Sequence, residues 1–263
     1  VLPGPCYVIS DAHLGVATRE RELALVRFLE ASRRDAGSLV INGDLFDFWF
    51  EWRRVMPRAG FRVLAAVASY ADAGLPVLWI AGNHDCWGGD LLRNDVGANY
   101  LFGPWEGSVA GWSVRVEHGD GLRGVEDRRY RMLRAVLRNP AAIWAYRHIL
   151  HPDWASRIAL GSSAASRTYV ARDKGEGLKR VAGEALADAP ALDVIIYGHS
   201  HVPTLHRTMR GVYANPGTWL TDSTYLRITA DAIELLRWDN GRGTPLAREG
   251  RPHATDTQPA RRD

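Results

Sequence analysis

Short apolar runs, each closed by a polar cluster, recur along the chain: residues 6–10 before Asp11, 39–41 before Gly43, 77–81 before Gly82, 113–117 before His118 and 194–197 before Gly198. Their length and β-branched content predict buried strands. Between them, Leu25, Phe28 and Leu29 fall at i, i+3, i+4, and Leu64, Val67, Ala68 and Ala71 at i, i+3, i+4, i+7. That spacing predicts helices with one apolar face. Strands alternating with helices predict an α/β fold whose ligands bind beyond the carboxyl ends of the strands, where the polar clusters sit.

The last third changes pattern: residues 211–214, 224–229 and 232–238 read as short strands that build a second sheet. Two sheets between helical layers, a four-layer α-β-β-α sandwich, is the expected architecture. Residues 121–190 interrupt it. Tyr130, Leu133 and Leu137 predict a helix, Pro140 breaks it, and residues 141–150 are apolar with Trp144 and Tyr146, so this stretch is expected to be a helical insertion. One domain over residues 1–240 is expected to contain that insertion, followed by a poorly ordered tail over 241–263, where Gly, Pro, Arg and Thr show no periodicity.

Composition narrows the class. Hydrophobic residues make up 46% of the 263 positions, enough for a large core. No stretch approaches the roughly 18 apolar residues of a membrane span, so a cytoplasmic protein is expected. Two cysteines, Cys6 and Cys86, build no disulfide framework. The net charge of +3 gives no case for nucleic acid, but its distribution matters. Residues 121–180 hold 13 Lys and Arg against 5 Asp and Glu, so the basic character is confined to the insertion.

Five clusters carry the candidate chemistry: Asp11-Ala-His13, Gly43-Asp44, Gly82-Asn83-His84-Asp85, His118-Gly119-Asp120 and Gly198-His199-Ser200-His201. Five of the nine histidines fall within them, while His148, His151, His206 and His253 lie outside. In extended chain, residues i and i+2 point the same way, so Asp11 with His13, and His199 with His201, can chelate in pairs. Carboxylate, imidazole and amide without thiolate suit Mn, Fe, Co or Zn. Seven candidate ligands, one a carboxylate free to bridge, are too many for one cation and right for two roughly 3.5–4 Å apart.

In type and order these blocks resemble the calcineurin-like metallophosphoesterases. The resemblance implies two divalent cations, with manganese the expected ion. Asp11, His13, Asp44 and His201 would hold one, and Asp44, Asn83, His118 and His199 the other, with Asp44 as the bridge. It also implies that His84 faces the phosphoryl group and protonates the leaving oxygen, and that Asp85 orients His84.

A narrower resemblance, to the UDP-2,3-diacylglucosamine pyrophosphohydrolases of lipid A synthesis, rests on Asp44-Leu45-Phe46-Asp47-Phe48-Trp49, on Asp127-Arg128-Arg129-Tyr130-Arg131, and on the insertion through Arg157-Ile158-Ala159 to Ser166-Arg167. It implies a helical lid over an acylated sugar nucleotide, and contact with the inner membrane surface. Asp127, Asn83 and His84 would meet the substrate, Trp144, Tyr146, Ile149, Leu150 and Trp154 would line an acyl groove, and Ser162, Ser163 and Lys174 fall near lid contacts. This chain departs from the subgroup's best-known members in carrying His84 where they have Arg. Two alternatives follow: hydrolysis of another nucleotide diphosphate or phosphodiester, and a non-catalytic scaffold. The oligomeric state is left open.

Overall fold

The computed structural model describes residues 1–52, 54–151, 154, 175–239 and 241–251. Two sheets form its centre. The larger has strand order β12-β11-β10-β1-β2-β3-β4, and the smaller β5-β6-β7-β9-β8. In the larger, β1 (Cys6–Ile9), β2 (Ser38–Asn42), β3 (Val77–Ile80) and β4 (Asn99–Leu101) run parallel. In the smaller, β6 (Trp112–Val116), β7 (Val194–Ile196) and β9 (Val212–Asn215) are parallel, with β5 (Trp105–Val109) and β8 (Thr204–Arg207) antiparallel at the edges.

Side-chain alternation assigns each strand residue to a layer. Val8, Val40, Leu78 and Ile80 meet Val114, Val116, Val194, Ile196 and Val212 between the sheets. Their neighbours Tyr7, Ile9, Leu39, Ile41 and Trp79 face outward onto α1 (Arg19–Ser32) and α2 (Phe61–Asp72), through Leu25, Phe28, Leu29, Val63, Leu64 and Val67. The sandwich is therefore four layers deep, as expected. No helix among the described residues is long and apolar enough to cross a membrane.

Three expectations need correction. The late strands do not all build the second sheet: β10 (Thr224–Ile228) pairs antiparallel with β1, and β11 (Ala232–Asp239) with β10, extending the first sheet. The edge of β1 opposite β2 supplies the unpaired backbone, and Leu226, Ile228, Ile233 and Leu235 complete the inter-sheet core. The insertion is also shorter than 121–190. Only α3 (Arg128–Leu137) and α4 (Pro140–Ile149) stand apart among the described residues, whereas α5 (Glu176–Asp188) buries Leu178, Ala182 and Leu186 against Ile195, Tyr197 and Tyr213 as the fourth layer.

The tail, thirdly, begins as a strand. β12 (Arg242–Gly250) pairs along β11 with a register shift at Leu235/Leu236, opposite Pro245 and Ala247. It lies on the sheet's outer edge and is almost wholly exposed, so it shows no alternation to read. Proline is tolerated there because an edge strand can forgo a ladder bond. Residues 252–263 lie outside the described residues.

Candidate metal centre

Each predicted cluster occupies the loop leaving the carboxyl end of a strand: Asp11 and His13 after β1, Asp44 after β2, Asn83 and His84 after β3, His118 after β6, and His199 and His201 after β7. Backbone bonds interlock these loops. Asp11 N–H donates to Gly43 O at 3.1 Å, His13 N–H to Asp44 O at 3.1 Å, and Gly198 N–H to His118 O at 2.9 Å. A Cβ on Gly43 would collide with the His118 ring, and one on Gly82 with the Asp44 carboxylate, so both loops need glycine to close on each other.

Asp11, His13, Asp44, His199 and His201 all hold positive φ, between 46° and 60°. For residues other than glycine this costs on the order of 1–3 kcal/mol each, and persists only where the surroundings enforce it. The strain turns the side chains inward as two adjoining sets, Asp11 with His13 and His201, and Asp44 with His118 and His199, each with ligand atoms within 4.8 Å of one another. His13 Nε2 and His201 Nε2 lie 3.1 Å apart, and His201 Nε2 is 3.2 Å from Asp11 Oδ1. His118 Nε2 is 3.3 Å from Asp44 Oδ2. A third set, His13 with Asp44 and His84, shares His13 with the first and Asp44 with the second, so the two sets adjoin.

Partners outside the cleft fix the tautomers. His118 Nδ1 donates to the Asn42 carbonyl at 2.8 Å, because a carbonyl can only accept, and this leaves the Nε2 lone pair facing inward. His13 Nδ1 lies 3.2 Å from Asp47 Oδ1, with the same effect. Asp11 Oδ1, Asn83 Oδ1 and His118 Nε2 are buried without a hydrogen-bond partner among the described residues. Buried acceptors left unpaired are costly and rare. Their convergence with nitrogen and oxygen donors, and with no thiolate, fits divalent cations.

The electrostatics agree. Burial alone would raise the carboxyls of Asp11 and Asp44. The imidazoles outweigh it, His201 for Asp11 and His118 with His84 for Asp44, and hold both low, Asp44 well below the usual range. Burial would lower His118, but Asp44 and Asp11 carry it well above the usual histidine value. Asp11 likewise raises His201 against burial. Burial together with His118 pushes His199 down to about 4, which keeps that ring neutral.

His84 is oriented by a different aspartate from the one expected. Asp85 accepts from the Gly82 amide at 2.8 Å, the Leu45 amide at 3.0 Å and the Trp79 indole at 3.4 Å, and so pins one loop to the next. Burial and the nearby Asp44 carboxylate raise its pKa to about 6. The backbone carbonyl of Asp47 takes His84 Nδ1 at 2.9 Å, while His84 Nε2 lies 4.0 Å from Asp44 Oδ2. Asp47 had no role in the sequence reading, although its place three residues past Asp44 marks the same loop.

Asp127, expected to meet substrate, is buried at the start of α3 and engaged by Arg123, whose backbone amide and Nη2 reach its carboxylate at 2.9 Å and 2.8 Å. The insertion is docked onto the candidate site. Tyr130 donates to Asp120 Oδ2 at 2.6 Å, Arg134 to Asp120 O at 2.9 Å, and the Trp87 indole to Leu137 O at 3.0 Å. The Tyr146 ring lies 4.8 Å from Phe50. His148 stacks on Trp144 at the exposed surface of α4, and His206 is exposed on β8. Arg157, Ile158, Ala159, Ser162, Ser163, Ser166, Arg167, Lys174 and His253 lie outside the described residues.

Residues 4–203 match the calcineurin-like phosphoesterase family. The chain belongs to that family. It is 35% identical over 219 residues to the UDP-2,3-diacylglucosamine hydrolase of Porphyromonas gingivalis, covering 74% of this chain and 82% of the relative. The hydrolase of the same description from Stenotrophomonas maltophilia is 30% identical over 242 residues, 86% of this chain and 96% of that one. A phosphoesterase structure from E. coli superposes with TM-score 0.49 at 16% identity, over 93% and 97% of the two chains. With the family and the clustered aspartates and histidines together, the chain is a metal-dependent hydrolase.

Proposed function

We propose that this chain cleaves the diphosphate of UDP-2,3-diacylglucosamine to UMP and 2,3-diacylglucosamine 1-phosphate. The observation that carries the reading is the pair of adjoining donor sets, linked through the overlapping set of His13, Asp44 and His84, with partnerless acceptors turned toward them, in a chain whose relatives carry that substrate in their name. Asp11, His13, Asp44 and His201 would hold one cation, and Asp44, Asn83, His118 and His199 the second, with manganese the expected ion. When bound, the pair supplies positive charge that polarises phosphoryl oxygens and acidifies the attacking water.

The chain's own groups do the rest. Asp47 holds the proton on His84 Nδ1, so Nε2 faces the cleft and, when protonated, donates to the leaving oxygen. Asp47 and Asn42 hold the Nδ1 protons of His13 and His118 outside the cleft, keeping both Nε2 lone pairs for ligation. The insertion would serve as the lid. Met132, Leu133, Val136, Trp144 and Ile149 are exposed apolar side chains on α3 and α4, interleaved with Arg128, Arg131 and Arg134, a mixture suited to acyl chains and phosphates. Such a substrate would bring the enzyme to the cytoplasmic surface of the inner membrane as a peripheral protein.

His84 favours a second reading, hydrolysis of another nucleotide diphosphate or a phosphodiester, since an imidazole can protonate leaving oxygens more basic than a phosphate. One experiment separates the two. Manganese-loaded protein is incubated in detergent with UDP-2,3-diacylglucosamine, with bis-p-nitrophenyl phosphate in parallel. Rapid UMP release is expected; cleavage of the aryl diester alone would leave the second reading standing.

A further inference from the structure

From the last residue of β9 toward β10 runs the segment Asn215-Pro216-Gly217-Thr218-Trp219-Leu220, to which the sequence pattern assigns no role. Its polar groups turn to the two loops whose ligands carry strained backbone. Asn215 is wholly buried, and its Nδ2 donates to Gly198 O at 2.8 Å and to Ser200 Oγ at 3.1 Å, on either side of His199 and just before His201. Its Oδ1 accepts from the Gly217 amide at 2.9 Å. Gly217 holds φ at +78°, and a Cβ there would lie 2.8 Å from Pro203 Cβ, so the turn seats directly against the chain leaving His201.

Thr218 grips the other loop. Its hydroxyl, buried at 2% exposure, donates to Asp11 O at 2.6 Å and accepts from the Leu220 amide at 3.1 Å. The Leu220 amide also reaches Asp11 O at 3.3 Å, and the Trp219 amide reaches Ser10 O at 3.3 Å. One layer inward, the carboxylate of Asp11 is divided between two tasks. Its Oδ2 accepts from the His199 amide at 3.1 Å and from the Ser10 hydroxyl, while Oδ1 has no hydrogen-bond donor among the described residues and faces His201 Nε2 at 3.2 Å.

The left-handed backbone of Asp11, His199 and His201 is thus braced from outside by a segment that lies outside the proposed ligand set. We infer that Asn215 and Thr218 are positioning residues for the cation pair: Thr218 sets the backbone at Asp11, and Asn215 sets the loop carrying His199 and His201. The inference rests on the ligand assignment proposed above. Groups that orient a metal's ligands typically change affinity by about 10–100-fold when removed.

The test is calorimetric titration of metal-stripped protein with Mn2+, with electron paramagnetic resonance to separate spin-coupled pairs from single ions. Wild-type protein should take up two ions as a coupled pair. Thr218→Val keeps the side-chain volume and loses the hydroxyl, so it should bind one of the two about 10-fold or more weakly, with loss of the coupled signal. Thr218→Ser should restore both. Asn215→Asp keeps the acceptor for Gly217 but loses the donor to Gly198, and should weaken both ions.

Wild-type affinities in Thr218→Val and Asn215→Asp would overturn the inference with the ligand assignment intact. An equal loss in Thr218→Ser, which keeps the hydroxyl, and in Thr218→Val, which lacks it, would also overturn it, because the hydroxyl would then not be what sets the affinity. A wild-type protein that takes up no Mn2+ would remove the ligand assignment itself, and the inference with it.

Discussion

His84 Nδ1 lies 2.9 Å from the backbone carbonyl of Asp47, while the carboxylate of the same aspartate lies 3.2 Å from His13 Nδ1. One residue thus orients a candidate ligand with its side chain and the candidate acid with its main chain. A side-chain substitution at Asp47 removes the first of these and leaves the carbonyl in place, although the carboxylate also lies 4.0 Å from His84 Nδ1.

His84→Ala should lower kcat by about 10²–10⁴-fold, the usual contribution of a positioned acid, with two cations still bound per chain. Turnover and metal content by plasma mass spectrometry check this together. Loss of metal equal to the loss of rate would make His84 a ligand instead.

Asp47→Ala should act differently. It frees His13 Nδ1 but leaves the carbonyl that holds His84, so metal affinity should fall by about 10–100-fold while kcat at saturating Mn2+ stays above that of His84→Ala. A kcat as low as that of His84→Ala at full metal occupancy would contradict this division.

Asp127 and Arg123 form a buried pair, 2% and 5% exposed. Removing the carboxylate takes its bonds from the buried Arg123 guanidinium, so Asp127→Ala should destabilise the protein by about 3–5 kcal/mol in urea unfolding. Unchanged stability with a raised KM would return Asp127 to the substrate contact that the sequence resemblance implied.

Metal-stripped protein should lose stability as pH rises above neutral. The folded-state values of His118 and His201 are raised, against burial, by Asp44 and Asp11. Their contribution is complete below the unfolded histidine value of about 6.5 and is lost as pH climbs through the raised values. Melting temperatures from pH 6 to 9 should fall for the stripped protein and stay level for the Mn-loaded one. A stripped protein equally stable at both ends would contradict the pairing.

Much of the site was legible because alternation and strand-end placement act locally. Asp11 and His13 do fall in one donor set, but the expected pairing of His199 with His201 is corrected: the two enter different sets, because left-handed rather than extended backbone turns them. The layer order follows from apolar runs alternating with helical faces. Long-range pairing was not legible. Nothing local in residues 224–238 says that they join β1 rather than the second sheet, because either edge would bury the same side chains. β12 has no buried face to produce a pattern, and α5 continues a basic stretch although its own Leu178, Ala182 and Leu186 are core. Asp47, Asn215 and Thr218 act through hydrogen bonds to distant loops, for which residue type and spacing leave no signature.

Asp44 is the carboxylate proposed to bridge the two cations and belongs to two of the three overlapping donor sets, so the metal content of Asp44→Ala tests the dinuclear site most directly. Wild-type protein should hold two divalent cations per chain. The variant should lose most of both, and with them all detectable hydrolysis of either substrate. Two cations retained in Asp44→Ala, or a single one in the wild type, would contradict the shared carboxylate on which the proposed reaction depends.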